Sequence, residues 1–305
     1  MEHHLEHQVV HQKKSFFRAL YEDHYKKLMI IPILLFVFAI VQIGYQVSTT
    51  GDFVNKGVSL KGGLTVSIPS EKTSLDSIQS LLKNEFPNAD LSARLLSGAI
   101  ENIVVEAAGV EPDQMIDALA KANLQREDYT IEQTGPALGS SFFRAAISAT
   151  LIAFVLMSIV VFLFFKTFVP STAVIVCAIC DILETLAIFN LTGAKLTTAG
   201  VAAFLMLIGY SVDTDMLLTT RVLKRREGTV MSRIYSAIGT GLTMTMTTIA
   251  AVVVALIFIN SEVIRQIMTI ILIGLLLDIV NTWIQNVGIV RMYIERKEKR
   301  GQRWQ

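Results

Sequence analysis

The chain is poor in charged residues and nearly devoid of cysteine. Asp, Glu, Lys and Arg make up 17% of its 305 residues, whereas 52% are hydrophobic. Soluble domains average about 25% charged residues, so this composition excludes an ordinary soluble protein and indicates a membrane protein. The two cysteines, Cys177 and Cys180, share one apolar segment with no further cysteine or histidine beside them. That setting excludes a disulfide framework and favours two small packed residues over a redox or metal site.

Six long apolar runs dominate the sequence. The first, 28–47, has no charged residue and is long enough to cross about 30 Å of hydrocarbon. A signal peptide is an alternative, but 27 residues precede this run and no small-residue cleavage site follows, which favours a retained span. The other five runs lie within 142–290, at 143–165, 168–190, 197–219, 235–259 and 267–290. We therefore predict an α-helical polytopic membrane protein with six transmembrane helices.

Basic residues are unevenly distributed between the two sides of these spans. Segment 1–27 holds five, the loop after the fourth span holds five and the tail 291–305 holds six, whereas the opposite short loops carry only Lys195 and Arg265. The positive-inside rule then predicts a multi-pass cell-membrane protein with both termini cytoplasmic. Within 1–27, one helical face carries Phe16, Phe17, Leu20, Tyr21 and His24. This pattern predicts an amphipathic helix in contact with membrane lipid, with a solvated extension of the first span as the alternative.

Residues 48–141 form the only segment that reads as a soluble domain, and the predicted orientation makes it extracytoplasmic. Apolar alternation predicts a first strand at 60–68, and Ser74 is a typical helix N-cap. Strands at 90–96, 100–108 and 129–133 and a helix from Pro112 complete the order β-α-β-β-α-β, a ferredoxin-like α+β domain. The segment has no histidine or cysteine and carries 13 acids against 7 bases. We expect a docking or handling module, not an enzyme, with no cofactor, metal or nucleic-acid ligand.

Carboxyl groups inside the spans are the strongest functional signal. Asp181, Asp213 and Asp278 each lie in an apolar run, where a charged side chain costs about 2.5–3.5 kcal/mol and usually marks an ion path or an intersubunit contact. Asp213 and Asp215 point about 200° apart on one helix, so they cannot serve one small site. Gly209 shares the face of Asp213 and would allow close helix contact, which favours Asp213 as the buried member. Asp215 lies nearer the basic loop, within expected reach of Arg221 or Arg225.

Polar side chains form stripes on neighbouring spans and predict a hydrated seam or a contact with another polytopic protein. No lysine or arginine lies in the interior of any span, so the acids have no internal cationic partner and are candidates for an ion relay. The alternative for the threonines is a hydrogen bond to the carbonyl four residues earlier in the same helix. The predicted relay acids are Asp181, Glu184, Asp213, Asp215 and Asp278; the predicted supporting groups are Thr240, Thr243, Thr247, Asn281 and Gln285.

Three motifs carry a family resemblance. The element Gly-Tyr-Ser-Val-Asp-Thr-Asp at 209–215, followed by Arg221, is similar to the SecF family of protein-export membrane subunits, and so is the six-span layout with one external domain. Glycine-rich stretches at 57–63 and 135–139 are also similar. SecF belongs to the resistance-nodulation-division superfamily. The resemblance covers roughly 16–295 and implies a SecD-type partner, a nearby SecY-type channel, contact with the translocating polypeptide, and use of a proton or sodium gradient to promote late steps of export.

The chain departs from the bacterial members of that family and looks more like the archaeal ones. Bacterial members carry Asp-Phe where this chain has Ser59-Leu60, and Asn-Asp where it has Asp213-Thr214. They also place an arginine in the fifth span, where 239–243 reads Gly-Thr-Gly-Leu-Thr, so an arginine–aspartate switch cannot be carried over within this subunit. Three alternatives stay open: half of a small-molecule efflux transporter, an intramembrane aspartyl protease using Asp181 and Asp213, and a scaffold that couples to no ion.

Overall fold

The computed structural model describes residues 21–96, 101–225, 227–259 and 261–301, and within these ranges six helices are long and apolar enough to cross a membrane. The prediction of a polytopic helical membrane protein is thus confirmed. The short helix α1 (Tyr25–Leu28) leads into the first long helix, α2 (Ile30–Thr50). The others are α6 (Pro136–Phe165), α7 (Phe168–Leu191), α8 (Thr198–Lys224), α9 (Val230–Phe258) and α10 (Glu262–Val280), the last continued by a π-helical turn at Asn281–Asn286 and by α11 (Val287–Lys299).

A small α+β unit lies between α2 and α6. Its elements are α3 (Val58–Lys61), β1 (Gly63–Pro69), α4 (Leu75–Glu85), β2 (Asp90–Leu96), β3 (Asn102–Ala108), α5 (Pro112–Lys121) and β4 (Thr130–Thr134). The four strands form one antiparallel sheet in the order β2-β3-β1-β4. Apolar faces of α4 and α5, including Ile78, Leu82, Met115 and Leu119, pack on one side of this sheet and form the core of the unit.

The first strand begins later than the sequence pattern indicates. Leu60 lies in α3, and β1 starts only at Gly63, because Gly62 and Gly63 take φ angles of +91° and +141° that interrupt the helix before the strand begins. Both glycines are also crowded: a Cβ on Gly62 would lie 2.5 Å from the Cα of Pro136 at the start of α6. The chain therefore enters and leaves the α+β unit at one tight crossing that only glycine fits.

Helix α8 is the centre of the membrane bundle. It packs against α6, α7, α9 and α10, while α2 packs on α7. About half of the apolar stretch of α7 and of α8 is buried inside the molecule, whereas α2 and α6 expose nearly all of theirs. Thr197 starts α8 by accepting a hydrogen bond from the backbone N–H of Gly200, and Thr229 caps α9 in the same way. The interior of the bundle is thus formed mainly by α7, α8 and α10.

The α+β unit is joined to the bundle by backbone as well as side chains. The residues after α2 form a short parallel bridge with the α7–α8 loop, in which Gly57 donates to the Leu196 carbonyl and Leu196 donates to the Asn55 carbonyl. Asp90 at the start of β2 pairs with Lys195 of that loop at 3.0 Å and with Lys61 at 3.4 Å. The predicted amphipathic helix lies mostly outside the described residues, although Tyr21 donates a hydrogen bond to the carbonyl of Trp283.

Candidate functional site: a buried carboxyl cluster

Four carboxyl groups meet in the interior of the bundle. Asp181 and Glu184 extend from α7, Asp215 from α8 and Asp278 from α10, and none of the four is more than 1% exposed. Acids from three helices converge because α7, α8 and α10 turn their most polar faces toward one another. We call this group, with the hydroxyl and amide side chains that contact it, the carboxyl cluster.

Two threonine hydroxyls connect the acids of α8 and α10. The Thr214 Oγ1 lies 3.0 Å from each carboxyl oxygen of Asp278. The Thr282 Oγ1 lies 2.9 Å from Oδ1 of Asp215 and 3.0 Å from Oδ1 of Asp278. Because a hydroxyl carries a single proton, Thr282 can donate to only one of these two aspartates at a time. The other aspartate can bond Thr282 only by donating a proton of its own, so the geometry suits a cluster that holds at least one proton.

Amide and hydroxyl donors hold the acids of α7. Asn281 donates from Nδ2 to Oδ1 of Asp181 at 2.7 Å and to Oε2 of Glu184 at 2.9 Å. Ser211 donates to Oδ2 of Asp181 at 2.5 Å. One asparagine therefore links two carboxyl groups that lie three residues apart on α7. These hydrogen bonds hold the two acids against α10, and none of the described residues gives either acid a cationic partner.

The π-helical turn at 281–286 explains how one helix supplies so many donors. An α-helix would spread six consecutive residues around its axis, whereas a π-helical turn widens the helix and brings more of them to one side. Asn281, Thr282 and Asn286 are all fully buried there, and Asn286 donates to Oδ1 of Asp215 at 2.7 Å. Such turns are frequent at functional sites. The turn follows Asp278 directly, so any change in its winding moves the donors relative to the acids.

Hydrogen bonding inside the cluster is incomplete. Buried oxygen atoms of Asp215, Glu184, Asn281 and Asn286 have no partner among the described residues. No lysine, arginine or histidine joins the cluster in the described part of the chain. An unpaired buried oxygen costs free energy, which a proton or a bound cation can recover. The unpaired carboxyl oxygens of Asp215 and Glu184 are thus places where the cluster can accept a proton.

The structure reverses the expected roles of the two acids on α8. Asp215 is the buried one, and Asp213 is exposed on the opposite side of the helix, next to Met216 and Leu217. The prediction that the two cannot share a site holds, since they point apart. The prediction that Asp213 is the buried acid failed because it depended on close helix contact at Gly209. No described residue lies within 4 Å of the position that a Cβ on Gly209 would take. Gly241 in α9 and Gly274 in α10 instead lie at close helix contacts, where a Cβ would overlap Trp283 and Leu207 respectively.

Two further expectations are corrected by the same geometry. Neither Arg221 nor Arg225 reaches Asp215: Arg221 donates to the Oγ of Ser236 at 2.9 Å on α9. Asp181 and Asp213 lie on different sides of α8, so they cannot share a proton as a protease pair would.

The threonines of α9 do not enter the cluster. Thr240 and Thr243 donate to the carbonyls of Ser236 and Gly239, four residues earlier, and Thr247 donates to Met244. The alternative of bonding within the same helix is therefore the one observed. Met244 of α9 lines a surface depression together with Asp213, and Thr243 and Thr247 are exposed elsewhere on α9. We call the exposed surface of α8 and α9, on which Gly209, Asp213 and Met244 lie, the outer α8–α9 face.

Sequence reasoning found the four cluster acids and Asn281 but missed several donors. Gln285, which it also named, donates instead to the sulfur of Cys180 at 3.6 Å. Ser211, Thr214, Thr282 and Asn286 contact the acids directly and were not predicted as supporting groups. Their spacing contained the signal: 211, 214 and 215 lie at i, i+3 and i+4 on α8, the spacing of one helical face. Asn286 could not be found in that way, because its position depends on the π-helical turn.

Comparison with known proteins identifies this architecture. The family model "Protein export membrane protein SecD/SecF, C-terminal" matches residues 114–296. A SecF of Pyrococcus furiosus is 38% identical over 287 residues, with 93% of this chain and 96% of the relative covered. The chain belongs to the SecF family. SecF of Methanocaldococcus jannaschii is 35% identical over 283 residues, covering 88% of this chain and 96% of the relative. The expected likeness to archaeal SecF proteins is thus confirmed.

Solved structures show the same fold at low identity. The crystal structure of SecDF from Thermus thermophilus, described as a translocon-associated membrane protein, aligns with a TM-score of 0.71 at 17% identity and covers 90% of this chain. A second SecDF structure, in a super-membrane-facing form, aligns with a TM-score of 0.62 at 19% identity. This SecF-family chain spans only 38% and 39% of those two SecDF chains.

Proposed function

We propose that this SecF-family chain promotes protein export by acting with a SecD-type subunit beside a SecY-type channel, using an ion gradient, most simply of protons, through the carboxyl cluster. Its role as an auxiliary membrane subunit of Sec protein export follows from the family. We further propose that the α+β unit is a ferredoxin-like domain on the extracytoplasmic side, where it would meet the translocating polypeptide, and that both termini are cytoplasmic. The element order and the basic loops support this placement.

The carboxyl cluster supports ion coupling. Four buried acids share hydroxyl and amide donors, and no cation neutralises them within the described residues. Adding or removing one proton changes which aspartate Thr282 serves, and so changes the contacts between α8 and the π-helical turn. A charge moved across a potential of 100 mV releases about 2.3 kcal/mol, enough to bias such a two-state contact several-fold.

Helix α10 offers a path from the cluster to the α+β unit. One end of α10 carries Asp278, and the other carries Gln266, which accepts a hydrogen bond from the backbone N–H of Thr197 at 3.1 Å and donates to the carbonyl of Lys195 at 2.7 Å. Lys195 in turn pairs with Asp90 of β2. A shift of α10 would therefore move the loop on which the α+β unit is held.

The outer α8–α9 face supports a SecD-type partner. Asp213 is exposed on a helix that spans the apolar region and forms no ion pair with another described residue. A carboxylate facing lipid is costly, whereas a partner helix offering a polar or cationic side chain would remove that cost. Small and hydroxyl-bearing residues such as Gly209, Gly239 and Thr243 suit close helix–helix contact in a membrane.

The proposal is tested by export of a secreted reporter in cells whose only copy of this protein carries one substitution. Asp215→Asn and Asp278→Asn should each reduce the stimulation of export at least about tenfold and abolish its dependence on the proton gradient, because an amide cannot release a proton. Asp213→Asn should instead weaken co-purification of the SecD-type subunit. Thr172→Val is the matched control, because Thr172 is exposed on α7 and its hydroxyl donates to the carbonyl of Phe168 in its own helix.

The variants separate the parts of the proposal. If the two single variants Asp215→Asn and Asp278→Asn both export the reporter as well as the wild type does, the protein is a scaffold that couples to no ion. If protons are the coupling ion, a proton-selective ionophore should abolish the stimulation of export and a sodium-selective one should not. Coupling to sodium predicts the reverse. Unchanged SecD co-purification in Asp213→Asn and Asp213→Lys would place the partner on another face.

A further inference from the structure

A cleft separate from the carboxyl cluster lies between the α+β unit and the end of the membrane bundle. Its volume is about 500 Å³, which is within the range of small-ligand sites. One wall is formed by β2, and the other by the α7–α8 loop and the first turns of α10. None of the residues of the carboxyl cluster lines this cleft, although Lys195 and Gln266 of the proposed path along α10 do.

Three basic side chains from three different elements line the cleft. They are Arg94 of β2, Lys195 of the α7–α8 loop and Arg265 of α10, and no acid is among the described residues that line it. Arg94 pairs with Glu106 at 2.9 Å, and Lys195 pairs with Asp90 at 3.0 Å, so these two side chains are held in place by neighbouring carboxylates. The cleft thus gathers three cations beside two carboxylates, whereas the segment 48–141 carries 13 acids against 7 bases overall.

Hydroxyl groups complete the lining. Ser92, Thr192 and Thr269 lie around the same space. The Oγ of Ser92 is buried and has no hydrogen-bond partner among the described residues, so one hydroxyl is left unsatisfied in the wall formed by β2. Arginine and lysine together with hydroxyl donors form the type of site that binds phosphate oxygens.

The position of the cleft favours a lipid as the source of the phosphate. Helix α7 ends at Leu191 and α10 begins at Glu262, so the cleft lies at the level where the apolar helices end. Leu191 and Ile264, each next to a lining residue, are exposed and apolar. Acyl chains could descend along them while the headgroup occupies the basic cleft, an arrangement known for basic pockets between membrane helices.

We propose that this cleft binds a phosphate oxyanion, supplied by the headgroup of an anionic membrane lipid. The bound phosphate contacts Arg94 on the α+β unit and Lys195 and Arg265 on the bundle at once. It therefore joins the two parts of the molecule and favours the orientation in which β2 lies close to the α7–α8 loop. Lys195 also belongs to the proposed coupling path, but phosphate binding needs no group of the carboxyl cluster, so a binding measurement tests this inference apart from ion coupling.

The test is a titration of the purified full-length protein in detergent micelles, followed by native mass spectrometry. Phosphatidic acid is compared with a galactosyl diacylglycerol that has the same acyl chains but no phosphate. We expect the wild type to bind phosphatidic acid at least tenfold more tightly than the galactolipid. Lys195→Gln and Arg265→Gln should each lose most of that difference. Lys195→Arg should retain it, and so should Arg126→Gln, which removes a basic residue of the α+β unit outside the cleft.

Inorganic phosphate distinguishes the two sources of the oxyanion. If millimolar phosphate displaces phosphatidic acid from the wild type and raises the melting temperature without lipid, a soluble phosphate can fill the site; lipid binding that resists phosphate supports the headgroup. Equal binding of phosphatidic acid and galactolipid, or equal binding by the wild type and both Gln variants, would overturn the proposal. The two single variants are independent, so failure of one to fold leaves the other as the test.

Discussion

The α+β unit buries almost only apolar side chains, whereas the membrane bundle buries carboxyl and amide groups together with apolar ones. The core of the α+β unit consists of aliphatic side chains such as Leu64, Ile68 and Ile103, with its carboxylates largely outside. The interior of the bundle contains Asp181 and Asp278 at 0% exposure, while phenylalanine, leucine and isoleucine side chains cover its outside. One chain therefore folds two regions by different rules.

The difference comes from the solvent that each region meets. In water, burial of apolar surface drives folding at about 25 cal/mol per Å². Lipid tails are as apolar as leucine, so helices in a membrane gain little from hiding leucine and associate through packing and interhelical hydrogen bonds. Polar side chains of the bundle are more stable in its interior than facing lipid, because Asn281 and Thr282 donate hydrogen bonds to them there. A polar core is thus the expected one here, and its acids become available for function.

The largest expected effect is in the apolar core of the α+β unit. Leu119→Ala removes a fully buried side chain and should lower the free energy of unfolding of that unit by about 2–5 kcal/mol. The measurement is pulse proteolysis of the full-length protein in detergent at increasing urea, with cleavage within 48–141 as the signal. Leu95→Ala, at a position 42% exposed, is the control and should change stability by less than about 0.5 kcal/mol. Equal losses would mean that this unit does not depend on a packed apolar core.

An intermediate effect is expected in the bundle, where replacement of a buried polar side chain by an apolar one should lower stability. Asn281→Leu adds apolar volume but leaves Asp181 and Glu184 without their shared amide donor, so it should destabilise the bundle by about 1–3 kcal/mol. Thermal unfolding in micelles measures this loss, and Thr243→Val should show almost none, because that side chain is exposed on α9. A stabilised Asn281→Leu protein would show that the bundle follows the same rule as the α+β unit.

The smallest effect is expected where the two regions meet. Burial alone would raise the pKa of Asp90, but the hydrogen bonds and charges of Lys195 and Lys61 hold it below its ordinary value. Because the folded-state pKa is the lower one, the stabilisation is present above the unfolded pKa of about 3.9 and is lost as the pH falls through the folded value. The side chain of Asp90 is about half exposed, so Asp90→Asn should cost at most about 1 kcal/mol at pH 7. Melting curves of both proteins should converge only once the pH has fallen below the lowered folded-state pKa of Asp90; a difference that persists in strong acid would exclude this ion pair as the cause.

Prediction from sequence succeeded where one repeating pattern decided the outcome. The six apolar runs were long enough to identify the spanning helices, and Ser74 was found as a helix cap because its side chain bonds the backbone two to three residues on. It failed where the outcome depended on which side of a helix meets a neighbour. The pattern separated Asp213 from Asp215 but did not show which of them faces α7 and α10. Gly209 suggested the wrong side, because a small residue marks close contact only where another helix is present.

By itself, the sequence determined that the chain crosses a membrane six times, that one α+β unit interrupts the spans, and that acids lie at lipid depth, because length, periodicity and charge are properties of each segment alone. Only the tertiary structure decided that Asp181, Glu184, Asp215 and Asp278 meet, that Asp213 faces outward, and that a π-helical turn brings Asn286 to Asp215. Those facts depend on how helices rotate about their axes when they pack. That rotation is fixed by contacts between segments that lie as many as 100 residues apart, such as Asn281 with Asp181.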